Sequence, residues 1–195
     1  VGRKVSFIVE KPEVAVGEEV LKVENLSVTS NTSKKLAVNN VSFDVKCGEI
    51  VCIAGIDGNG QTELIYGITG LTKLKSGKIT FNGTDITNYS IRKKSKNGIS
   101  HIPEDRQKHG LVLDYTLENN MILQRYYENH FVSFGFLKNK EIREYSDRLI
   151  EEYDVRSMQG SISVARGMSG GNQQKAIVAR EIDKKLARRV IYGEK

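Results

Sequence analysis

The sequence has no tryptophan, two prolines, two cysteines and three histidines. Cys47 and Cys52 lie close together without the Cys or His companions of a zinc site or the pairs of a disulfide framework. Both are expected to be reduced, structural thiols. His101, His109 and His130 are scattered singly, and each reads as a polar surface or loop residue. No stretch approaches the roughly 18 consecutive apolar residues of a membrane span. The opening Val1-Gly2-Arg3-Lys4 has no apolar stretch of the secretory kind, so a cytosolic protein is expected. Internal repeats and low-complexity tracts are also missing, so the outline is a β-rich entry, an α/β core, a helical insertion and a return to the core.

What is present suits one globular domain: 195 residues, 38% hydrophobic and 28% charged. The balance of 30 basic and 24 acidic residues gives +6, too diffuse to demand nucleic acid or anionic lipid. Two denser basic runs, Arg92 to Lys96 and Lys184 to Arg189, read as solvated helix faces.

Leu21 to Val28 and Val41 to Val45 alternate apolar and polar residues, as half-buried antiparallel strands do, with a turn from Thr29 to Lys35. Glu49 to Ala54 is nearly continuous in apolar residues and reads as a strand buried on both faces of a parallel sheet. Thr62 to Gly70 reads as a helix, Ser76 to Gly83 and Ile99 to Ile102 as strands. From Leu117 to Tyr153 the period turns helical, with Ile142, Tyr145, Leu149 and Tyr153 on one face.

Gly55-Ile56-Asp57-Gly58-Asn59-Gly60-Gln61-Thr62 has the spacing of a phosphate-binding loop, with glutamine at the lysine position. Glycines at 55, 58 and 60 let consecutive N–H groups point into one concavity at a helix start, so backbone alone can cradle phosphate. Gln61 retains hydrogen bonding but removes the charge that offsets the β- and γ-phosphates, and Thr62 offers a hydroxyl to magnesium. A glycine-rich turn of this kind also occurs in many folds without a ligand.

Met168-Ser169-Gly170-Gly171-Asn172-Gln173-Gln174-Lys175 sets a serine and two glycines ahead of a strong helix-forming run, an anion-ready helix start. Taken singly it is an ordinary cap. Together with the upstream loop it resembles the ATP-binding domains of ABC transporters, over roughly residues 20–183.

That resemblance implies an α/β P-loop NTPase (RecA-like) core, preceded by an antiparallel β subdomain and carrying a helical insertion at about residues 112–165, truncated at the C-terminus. Residues 1–20 resemble an interdomain linker and 21–195 a partial ATP-binding domain. In the family two domains sandwich ATP head to tail. Ser169, Gly170 and Gly171 would therefore act in trans on the γ-phosphate held by the other domain. Gly55, Asp57, Gly58, Asn59, Gly60, Gln61, Thr62 and Glu63 would bind ATP, with Thr62 a weak Mg2+ ligand. Glu104, in Ile102-Pro103-Glu104-Asp105-Arg106, stands where a glutamine ordinarily senses magnesium and the attacking water and touches the permease.

That segment, Gly110 to Asp114 and the loop Gly58 to Leu64 resemble the second domain of tandem importers for nucleosides, with ribose- and galactose-type importers as close relatives. The implied partners are the first ATP-binding domain, membrane permease subunits and, indirectly, an extracytoplasmic solute-binding protein, with no nucleic acid. The implied place is cytoplasmic, peripheral on the inner face of the membrane.

The chain also departs from the family. No aromatic residue for stacking adenine occurs between Thr29 and Lys35, and 12 residues follow Asp183, with no recognisable Asp-Glu strand or switch histidine. Glu194 is the sole candidate remnant of that strand. By itself the fragment is expected to be an inactive ATPase. The alternatives are a soluble ABC-type ATPase acting on nucleic acid or ribosomes, and a structural remnant that binds no nucleotide.

Overall fold

Leu21, Val23, Leu26 and Val28 are buried along β1 (Glu19–Thr29), but not on a simple alternation. Asn25, at φ 50°, lies in a bulge that shifts the phase by one residue, so both apolar pairs reach the same core. β2 (Leu36–Lys46) runs antiparallel along one edge of β1, with Val23 opposite Phe43. β3 (Leu74–Phe81) runs antiparallel along the other edge, with Val23 opposite Ile79, and β4 (Thr84–Asp85) completes a four-stranded sheet. Gly77, at φ 109°, faces the bulge, where a Cβ would come within 2.6 Å of the Leu26 Cα. Only glycine meets both conditions. α1 (Gln61–Thr69) buries Leu64 and Ile68, one turn apart.

A computed structural model describes residues 15–30, 33, 35–56 and 58–184, and the backbone of 189–192. The sequence expectations for residues 1–14, Thr32, Asp57 and Glu194 lie outside the described residues. The chain divides into two units, residues 1–68 with 72–88, and residues 69–71 with 89–195.

The expected strand from Glu49 to Ala54 does not form. Ile50 is 91% exposed, and Val51 and Ile53 are exposed too. A strand buried on both faces needs a neighbour on each edge. No described strand hydrogen-bonds to this segment, so its apolar run has no ladder to join. Cys47 and Cys52 are free and exposed, which removes the structural role expected of them.

In the second unit β5 (Ile99–Ile102) pairs in parallel with β8 (Arg189–Tyr192). The helical layer is less continuous than its period suggests. α3 (Leu117–Met121) gives way to turns and a hairpin, β6 (Val132–Ser133) and β7 (Phe136–Leu137), before α4 (Asn139–Glu152). Phe134 and Gly135 both have positive φ, the backbone of a two-residue hairpin turn. α4 turns Ile142, Tyr145 and Leu149 inward against Phe131, Leu117 and Met121, with the Phe131 and Tyr145 rings 5.0 Å apart, edge to face. α5 (Gly170–Ile182) seals this core with Ala176 and Ala179. Each large side chain buried here contributes about 1.5–3 kcal/mol of transfer free energy.

The basic run on α2 (Ile91–Lys96) is not uniformly solvated. Arg92 and Lys93 lie exposed over the rings of Tyr127 and Tyr89, at 3.8 and 3.5 Å. Lys94 is 1% exposed, its stem beside Gly70, and burial pushes its amine down from 10.5 to about 8. Between those two values the unfolded chain holds more protons than the folded one, so stability rises with pH across that window. Lys94→Met is expected to be more stable than the parent by about 1–3 kcal/mol at pH 7, the difference shrinking toward pH 10. Urea unfolding across this range checks it; a gap that widens with pH would mean that the lysine is stabilised by its site.

Candidate functional site

The loop of glycines belongs to the first unit. Gly58 and Gly60 adopt φ 85° and 96°, and Gly60 packs on the Ala37 carbonyl, leaving no room for a Cβ. The Asn59 amide donates to Ile56 O at 3.1 Å, closing a turn, and the Leu64 amide donates to Gly60 O at 2.9 Å, which starts α1. Gln61 lies across this turn: its Nε2 donates to Ile56 O at 3.4 Å and occupies the space beside Gly55. Thr62 is exposed, and Glu63 sits in the first turn of α1, where a carboxylate complements the helix dipole. From Gly55 to Leu64 the sequence carries two acids, Asp57 and Glu63, and no base. The side chains of this stretch therefore supply no countercharge to an anion.

The serine-glycine-glycine segment belongs to the second unit. Ser169 caps α5 with extended backbone, φ −65° and ψ 152°, and its side chain makes no cap hydrogen bond. Instead its Oγ accepts from Asn172 Nδ2 at 2.9 Å. The first amides of α5 have no helical acceptor, which leaves Gly170 and Gly171 as donors at the positive end of a helix of 13 residues. Gly171 faces open space. Buried Gln173 donates to Ala165 O at 2.9 Å and so ties α5 to the turn that leads into it.

Gly170 is held by a residue that the sequence did not connect with it. A Cβ at Gly170 would lie 2.7 Å from Nη2 of Arg106 and 3.2 Å from its Cζ, so the guanidinium rests on the glycine. Arg106 opens a π-helical turn, Arg106–Gly110, capped by Asp105, whose Oδ1 accepts from the Gln107 and Lys108 amides at 3.0 Å each. The Lys108 amide is the main reason that the Asp105 carboxyl is held below its ordinary value. At the other end of the turn Gly110 packs on Ile177 of α5, again leaving no room for a Cβ. Two glycines, 60 residues apart, thus fasten the turn to the helix. Glu104 precedes the turn and is half-buried.

Lys184 is another exception to the solvated reading of a basic run, being buried beside fully buried Glu181 at the end of α5. Glu181 Oε1 accepts from Arg180 Nε at 3.0 Å and from Gln124 Nε2 at 2.8 Å, and its backbone carbonyl accepts from Ser100 Oγ at 2.9 Å. The spacing of Glu181 and Lys184, one helical turn, was the available signal for this cluster.

Solved structures similar to this chain include ATP-binding cassettes of ABC transporters. The chain superposes on a nucleotide-free ATP-binding cassette from an ABC transporter with a TM-score of 0.67 and 21% identity, covering 90% of this chain and 68% of that one. It superposes on a dimeric bacterial ABC transporter cassette with a TM-score of 0.68 and 20% identity, covering 88% and 72%. At such identities the likeness shows the fold alone. The family profile described as ABC transporter matches residues 38–187, and the chain belongs to that family. It is 50% identical over 184 residues to the guanosine import ATP-binding protein NupO of Bacillus subtilis (strain 168), covering 94% of this chain and 36% of the relative. With the nucleoside import ATP-binding protein NupA of Lactococcus lactis subsp. cremoris (strain MG1363) the identity is 48%, with the same coverage. The chain therefore spans about a third of the length of these curated relatives.

Proposed function

We propose that this chain is part of the second ATP-binding domain of a tandem importer ATPase for nucleosides, or for simple sugars. The observation that carries the reading is the 50% identity with a guanosine import ATP-binding protein, which extends over both glycine segments. A ribose import ATP-binding protein of Clostridium tetani (strain Massachusetts / E88) is 38% identical over 184 residues, which keeps sugars in the substrate class.

In this reading the domain binds ATP weakly at its own loop. The amides from Gly58 to Gln61 hold phosphate, and Thr62 faces Mg2+, whose chemistry is to neutralise charge across the phosphates. Ser169, Gly170 and Gly171 act in trans on nucleotide bound to the first domain, where hydrolysis mainly occurs. Closure of the two domains reaches membrane permease subunits through Glu104 and the helical layer, and an extracytoplasmic solute-binding protein delivers the solute. The assembly lies on the cytoplasmic face of the membrane and needs no nucleic acid. The isolated chain is inactive as an ATPase.

Purifying the intact ATPase from membranes tests this. Association with permease subunits is expected; a nuclease-sensitive association with RNA or DNA overturns it in favour of a soluble ABC-type ATPase. Gln61→Lys is expected to tighten nucleotide binding at this loop about tenfold, the effect of one charge-assisted contact. Equilibrium titration with Mg-ATP reads it, and an unchanged affinity would show that charge is not what the loop lacks.

A further inference from the structure

We propose that Arg106 is a phosphate-contacting residue of the signature segment, presenting its guanidinium to the terminal phosphate of the nucleotide that Ser169, Gly170 and Gly171 meet in trans. This rests on the trans reading given above and adds to it a charged ligand that the glycine segment itself does not contain.

Three observations carry it. Nη2 of Arg106 is seated over Gly170, at the donor end of α5, and a side chain on residue 170 would displace it. Its Nε is buried and has no hydrogen-bond partner among the described residues. Three other basic residues near the start of this helix are matched to acids: Arg166 to Asp114 at 2.8 Å, Lys175 to Asp154 at 2.8 Å, and Arg156 to Asp154 at 3.5 Å. Arg106 makes no ion pair among the described residues, although Asp105 is its neighbour in sequence. The Asp105 carboxylate is engaged by the backbone amides of the turn.

The position is electrostatically unfavourable without an anion. A helix N-terminus carries about half a positive charge, and a cation placed there is repelled rather than attracted. The fold nevertheless fixes the cation in place, through the Asp105 cap at one end of the turn and the Gly110 contact with Ile177 at the other. Residues that cost stability where they stand mark places selected for binding. A guanidinium beside Gly170, with the first amides of α5 and the Ser169 hydroxyl next to it in sequence, offers the kinds of donor that a terminal phosphate accepts. An ADP lacks that phosphate, so the contact discriminates ATP from ADP.

The test compares Arg106→Gln, Arg106→Lys and Ser169→Phe in the intact ATPase, with equilibrium affinities for a non-hydrolysable ATP analogue and for ADP beside steady-state turnover. Arg106→Gln is expected to lose about tenfold in affinity for the ATP analogue and to leave ADP unchanged, as removal of one charge-assisted phosphate contact does. Arg106→Lys, which keeps the charge but not the fork, is expected to fall between. Equal losses for both nucleotides, or none, with Ser169→Phe inactive, overturn the role of Arg106 while the trans reading stands. If Ser169→Phe also turns over normally, the trans reading itself has failed. Because the affinities are read without turnover, a defect confined to hydrolysis would not reproduce the selective loss.

Discussion

Ser169→Phe in the intact ATPase is expected to lower ATP turnover by about 10²–10³-fold, the loss seen when preorganised donors to a reacting oxyanion are removed. The reason is geometric. Ser169 stands at the cap of α5 with an exposed side chain, and Gly171 beside it faces open space. A phenyl ring there fills the approach to the free amides of the helix, so a phosphate from a facing domain cannot reach them. Folding should be spared, because the Ser169 side chain makes no cap hydrogen bond and its Oγ contact is to Asn172 within the same turn. Circular dichroism of the variant should therefore match the parent, and ATPase rate is the discriminating measurement. Unchanged turnover in a well-folded variant would remove the trans role.

The same segment was the most legible part of the sequence, because Ser-Gly-Gly followed by helix formers specifies both a cap and a helix, and α5 starts at Gly170. β1 and β2 were legible for a similar reason. Alternation encodes a half-buried strand, and even the bulge at Asn25 only moved the phase. Glu49 to Ala54 shows the limit of such reading. Apolarity states that a segment is to be buried, not by what, and without a paired strand Ile50 stays exposed. Basic runs failed differently. A cluster of lysines suggests solvent, yet a helix turns one residue in three or four inward, which buries Lys94 on α2, while Lys184 is buried beside Glu181 just past the end of α5. The guanidinium on Gly170 was beyond reach, since residues 106 and 170 carry no local signal that they meet.

The largest stability effect is expected at Glu181, through those same buried charges. Its side chain is fully buried, and its carboxylate is shared by Arg180 and Lys184, which are themselves almost wholly buried, and by Gln124. Arg180 continues to the Asn120 carbonyl at 3.3 Å, and the Asn120 side chain holds the backbone of Val112, its Oδ1 accepting from the amide at 2.8 Å. One carboxylate thus joins the end of α5 to α3 and to the segment between the π-helical turn and α3. Burial lowers the Lys184 amine while Glu181 raises it, so removing Glu181 leaves only the unfavourable influence. Glu181→Ala strands two buried cations and is expected to cost about 3–5 kcal/mol. Since a domain of this size is held by about 5–15 kcal/mol, the variant is expected to be partly unfolded at 37 °C. Glu181→Gln retains an acceptor and should lose less. Urea unfolding followed by circular dichroism reads both, and a Glu181→Ala loss below about 1 kcal/mol would mean that water reaches the two cations. A triple replacement with apolar residues of similar volume should recover much of the loss, because the cost lies in the unpaired charge and not in the missing contact.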